Sequence, residues 1–166
     1  HYLFATEDTS LAMPEITLPV IPGMEGCHWA IRKAKSEDRK KLVQMLLEGK
    51  PKKAKETVGW FVDYSDTLEN CLKKAWQIMG KGASVLPMRN VDEGSLEKIS
   101  FDEKIFANSN GSGESLRAIA KCIEDSCKAK LVDAISIQAK HSADFMVTKS
   151  CRSGKVGIEY DKVMGN

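Results

Sequence analysis

Residues 11–26, LAMPEITLPVIPGMEG, carry three prolines and two glycines among mostly apolar side chains. Such a run is too often interrupted to continue a helix and too apolar to be an exposed linker. It also holds two carboxylates, Glu15 and Glu25. Glu15 stands between a proline and the β-branched Ile16, shortly before the Pro22-Gly23 turn. Either it is a surface residue on a short strand, or it is half-buried where desolvation raises its pKa for proton transfer. Spacing alone leaves both readings open.

At 166 residues and 42% hydrophobic, the chain has the size of one domain with a real core. Its charges nearly balance, at a formal +2, so nothing global points to nucleic acid or to a strongly acidic partner. Cys27, Cys71, Cys122, Cys127 and Cys151 form no C-x-x-C, and none has zinc-site spacing to His1, His28 or His141. No metal site is expected, and reduced thiols in a cytoplasmic protein are. No apolar run reaches the length of a membrane span, and the first residues lack the basic start of a signal peptide. A protein with no membrane association is therefore expected. The opening HYLFATED reads as the middle of a strand, which suggests a piece of a longer protein.

The pattern predicts two extended pieces, Tyr2 to Thr6 and Leu11 to Leu18, separated by Glu7 to Ser10. A helix is expected across MEGCHWAIRKA, weakened by Gly26. Ser36 is a good N-cap for the next helix, whose Leu42, Val43, Leu46 and Leu47 form one apolar face before Gly49 closes it. PKKAKETVG then reads as a short helix from Pro51 to Gly59, and WFVDYS as a strand. Thr67 caps a helix with the stripe Leu68, Leu72, Ala75, Trp76 and Met79. Residues 80–113 are irregular, with an apolar island at Ile105 and Phe106. From Glu114 one long helix or two in sequence place Leu116, Ile119, Ala120, Ile123 and Cys127, then Leu131, Ile135, Ala139 and Phe145, on one face. The result is an α/β chain with a mainly helical later part.

The order of these pieces is similar to the enoyl-CoA hydratase/isomerase superfamily, the crotonases. Glu7-Asp8, Met13-Pro14-Glu15 and Ile21-Pro22-Gly23 resemble the family's acidic turn, apolar-Pro-Glu segment and Pro-Gly turn. Leu46, Leu47 and Gly49, then Pro51, Ala54 and Gly59, then Phe61, Val62 and Asp63 match the segments that follow. The last helices, with Gly157, Ile158 and Tyr160, look like the family's terminal region. The resemblance implies a crotonase-like spiral fold, with this chain as its mostly helical C-terminal portion. Residues 1–79 would belong to the core, 80–113 would be an irregular link or insertion, and 114–166 a helical oligomerisation region. The family's oxyanion-hole turn and first catalytic glutamate lie upstream of the Pro-Glu motif. Neither occurs here, where the first glycine is Gly23; the N-terminal part would be lost or a separate chain.

The resemblance further implies hydration or isomerisation of a 2-enoyl-CoA through an oxyanion-stabilised enolate, with coenzyme A as part of the substrate and no further cofactor. Glu15 would be the general acid/base. Glu25 departs from the family's Gly-rich helix start: its role is to meet the helix dipole, or else it faces the acyl pocket and alters the reaction toward isomerisation or hydrolysis. Pro22, Gly23 and Met24 would line the substrate, and Lys155 and Lys162 would meet the phosphates of coenzyme A. A trimer or hexamer is expected, without nucleic acid. Cys27 reads as a packed small residue, and His28 as a core or helix-surface histidine rather than a catalyst. The basic stretch from Ile31 to Lys55 reads as the solvated outer face of a helix. The competing reading is a helical binding or oligomerisation module without chemistry of its own.

Overall fold

Apolar periodicity translates most directly into structure over residues 39–48. There Leu42, Val43, Met45, Leu46 and Leu47 are all buried in one α-helix. The computed structural model describes residues 2–96, 99, 101, 104, 113–154 and 163. Within them run strands β1 (Phe4–Thr6), β2 (Ser10–Leu11), β3 (Lys52–Lys53) and β4 (Tyr64–Asp66). The helices are α1 (Trp29–Lys33), α2 (Arg39–Glu48), α3 (Leu68–Lys81), α4 (Gly113–Lys128), α5 (Leu131–Met146) and α6 (Lys149–Arg152). Helices predominate over two small sheets, an α/β arrangement in the general sense. Among the described residues no helix is long and apolar enough to cross a membrane.

β1 pairs in parallel with β4, Phe4 opposite Tyr64 and Thr6 opposite Asp66, and the intervening chain supplies the crossover that parallel strands require. The Phe4 and Tyr64 rings meet edge to face at 5.7 Å. β2 and β3 pair antiparallel through Ser10 opposite Lys53. The core gathers Ile16, Ile31 and the inner face of α2 against Leu116, Ile119 and Ile123 of α4. α4 and α5 fold back on each other through residues 129–130, so the expected helical tail is two helices and a short third.

Several local expectations are corrected. Leu11 to Leu18 is not one extended piece, because Pro14–Thr17 closes a 3-10 turn in which Thr17 Oγ1 donates to the Pro14 carbonyl at 2.7 Å. Pro14 suits the start of such a turn, since the amide it lacks has no acceptor there. The helix expected from Met24 begins only at Trp29, since Met24 and Glu25 adopt left-handed backbone angles. Ser36 makes no side-chain cap: Ser36–Asp38 is a 3-10 turn leading into α2. Residues 51–59 hold β3 and the 3-10 turn Ala54–Thr57 in place of one helix. The aromatic strand shrinks to Tyr64–Asp66, because the amides of Trp60, Phe61 and Val62 all turn back to the Thr57 carbonyl.

Thr67 caps α3 as expected, its Oγ1 accepting from the Asn70 amide at 3.3 Å. Yet the stripe is not buried: Leu68, Leu72, Trp76 and Met79 all face solvent, Trp76 being 75% exposed. α3 rests on β1 and β4 through Cys71, and a ribbon of two three-residue strands is too narrow to cover more of it. In α5, Ala134, Gln138 and Phe145 face inward while Ile135 and Ala139 are exposed, so the buried face is rotated from the expected one. Gly157, Ile158, Tyr160, Ile105 and Phe106 lie outside the described residues.

Candidate functional site

The interrupted segment folds into two consecutive turns that present two carboxylates. In the first, Ile16 is fully buried and anchors the turn, while the Glu15 carbonyl accepts from the amides of Leu18 and Val20 at 3.0 and 3.3 Å. This fixes the backbone of Glu15 and leaves its side chain half-buried. Its Oε2 is shielded from water and has no hydrogen-bond partner among the described residues. The carboxylate lies close to Cys27. That thiol is held well above the ordinary thiol range by its hydrogen bond with Cys122, by burial and, more weakly, by the Glu15 charge. Cys127 is pushed up to about 12 by burial. These sulfurs remain protonated and serve as packing.

The second turn is held from a distance. Gln138 on α5 is buried, its Nε2 donating to the Pro22 carbonyl at 2.8 Å and its Oε1 accepting from the Cys27 amide at 3.1 Å. One side-chain amide thus serves both ends of the loop, as a backbone peptide group would. Within it the Gly26 amide donates to the Gly23 carbonyl at 2.8 Å, and the Glu25 carbonyl accepts from the amides of His28 and Trp29. Met24 and Glu25 take φ of 47° and 65°, a region that costs a side-chain-bearing residue about 1 kcal/mol or more. Glu25 is half-buried, and its Oε2 also lacks a partner among the described residues.

His28 follows in the core. It is fully buried, and neither ring nitrogen has a hydrogen-bond partner among the described residues. Burial, reinforced by the Arg32 charge, lowers its pKa to about 4, so the imidazole is neutral at ordinary pH. An uncharged ring sits beside a loop that bears two partly shielded carboxylates.

Of the residues expected to line the substrate, Pro22 is buried, Gly23 is exposed and Met24 projects wholly into solvent. Lys155 and Lys162 lie outside the described residues. Among the described residues no group of three or more His, Cys, Asp or Glu could hold a metal ion. Gln138 was not legible as a positioning residue; its signal was a polar side chain at helical spacing from the apolar Ala134 and Phe145.

The basic stretch is also corrected, because Arg32 is buried in place of lying on a solvated face, being only 1% exposed. Its Nη1 donates to the carbonyls of Asp92 and Gly94, and its Nη2 to those of Ser126 and Ala129. A cluster of carbonyl oxygens, rather than a carboxylate, stabilises this buried cation. Surface grooves among the described residues include one of ≈ 660 Å³ between α4 and α5 beside the Asp125–His141 pair, one of ≈ 330 Å³ beside Arg32, and one of ≈ 480 Å³ beside Trp29. Neither Glu15 nor Glu25 lines any of them. No protein-family model matches the chain, and no curated protein matches it.

Proposed function

We propose that the chain takes part in acyl-CoA thioester chemistry, hydration or isomerisation of a 2-enoyl-CoA, with Glu15 as the general acid/base. The observation that carries this reading is the shielded Oε2 of Glu15, without a hydrogen-bond partner among the described residues, on a turn whose Glu15 carbonyl is held by the amides of Leu18 and Val20. Leaving a buried polar atom unsatisfied costs about 1–3 kcal/mol. A carboxylate oxygen held so is not tied to a structural partner among the described residues. The resemblance of Met13-Pro14-Glu15 and Ile21-Pro22-Gly23 to the crotonases supports the substrate class, and the crotonase-like spiral belongs to the same proposal. Glu25 is the second carboxylate, and Pro22, Gly23 and Met24 form the turn that would carry the acyl group past both. The oxyanion donors would come from the rest of the assembly.

The test is Glu15→Gln in the full-length protein, with loss of the conjugated thioester absorbance of a short 2-enoyl-CoA followed in the ultraviolet. Turnover is expected to fall by ~10²–10⁴-fold with thioester binding retained. Unchanged turnover in the variant, or none in the unaltered protein, overturns the reading. A second reading, a helical binding module, is favoured by the exposed stripe of Leu68, Leu72, Trp76 and Met79 on α3. Self-association without thioester binding in the same preparations selects it.

A further inference from the structure

The groove beside Arg32 and the groove beside Trp29 share Lys33, Arg89, Asn90 and Val91, so they lie side by side as two unlike halves of one surface. The first half is cationic. Arg32, Lys33, Lys35, Arg39 and Arg89 line it. Two carboxylates answer them: Asp63, paired with Arg89 at 2.8 Å and Lys33 at 3.8 Å, and Asp92, paired with Arg39 at 3.0 Å. Cations remain in excess, and Lys35 is exposed.

Two buried donors in this half lack a partner among the described residues. Arg32 is 99% buried and four of its N–H groups reach carbonyls, while its Nε has no partner among the described residues. The Nε of Arg39 is likewise buried and without a partner among the described residues. Both Nε atoms are sealed from solvent, so what the groove itself presents is an excess of positive charge with Lys35 exposed, which suits an anion with several acceptor oxygens. The second half differs in kind: Trp29, 45% exposed, stands with Met88 and Leu131 and offers an aromatic face with apolar neighbours, beside one carboxylate, Glu93.

We infer that this surface binds a phosphate ester carrying a flat, largely apolar body, that is, a nucleotide, with the phosphate at Lys35 and Arg39 and the base against Trp29. The site does not include Glu15 and does not depend on the thioester reading. The same chemistry has two sources, a free nucleotide and the nucleotide end of coenzyme A.

Titration calorimetry of the full-length protein with ADP, and separately with inorganic pyrophosphate, tests it. ADP is expected to bind in a manner that weakens as salt is raised. Lys35→Glu is expected to weaken both ligands about tenfold or more, as loss of a charge-assisted contact followed by repulsion does. Trp29→Ala is expected to weaken ADP about tenfold and leave pyrophosphate unchanged. Both side chains are exposed, and matching thermal melts verify that the variants fold. No binding of ADP at millimolar concentration, or binding indifferent to Lys35→Glu, overturns the site; indifference to Trp29→Ala overturns the nucleotide class. Inhibition of thioester turnover by ADP, relieved by Lys35→Glu, identifies the coenzyme A source, and ADP binding without inhibition identifies a free nucleotide.

Discussion

The side chains that matter most here are those whose polar atoms go unanswered. His28 is kept neutral in the core, its pKa lowered from 6.5 to about 4. The unfolded chain therefore takes up a proton at His28 before the folded protein does. Stability from this residue is complete above about pH 6.5 and drains away as the pH falls toward 4, by ~3 kcal/mol in all. Urea midpoints measured across that interval should fall with acidification, and His28→Gln should flatten the slope. Glu25 is costly in another way, since it combines φ of 65° with a shielded, unpartnered oxygen. Glu25→Gly removes both penalties, and a gain of about 1 kcal/mol is expected in denaturant unfolding.

At the scale of elements, the chain was most legible where one local cause acts alone. Gly49 ends α2 at φ 62°, as the sequence led one to expect, and a Cβ there would collide with Cγ2 of Ile16. Gly49→Ala is thus both conformationally strained and overpacked, and should cost at least ~2 kcal/mol in chemical denaturation. Thr67 and the inner faces of α2 and α4 were read for the same reason, because caps and 3.6-residue periodicity need no knowledge of neighbours. The 3-10 turn at Glu15 was not legible, since a short apolar run with proline suits a strand end and a tight turn equally. Nor was the outward orientation of the α3 stripe: which face a helix buries depends on how much sheet lies beneath it, and that width is not a local property. Of the candidate site, Glu15 and Glu25 were found because carboxylates in apolar sequence stand out, whereas Gln138 and buried Arg32 act on partners 60 to 116 residues away.

Over the whole molecule, Arg32 is the tie that joins distant segments. It links α1 to residues 92–94 and to the end of α4 with the turn after it. Backbone bonds run alongside it, from the Asp92 amide to the Arg32 carbonyl at 3.0 Å and from the Leu96 amide to the Cys127 carbonyl at 2.8 Å. Arg32→Met would keep much of the volume but orphan those carbonyls, and a loss of ~3–5 kcal/mol is expected, read as a lowered thermal midpoint. The position of the indoles has a practical consequence. Of the three tryptophans, Trp29 and Trp76 already stand in solvent and Trp60 alone is buried. Intrinsic emission is therefore a muted reporter of denaturation. Trp29, at the mouth of a cleft, is instead a built-in optical gauge of occupancy, readable by quenching without any added dye.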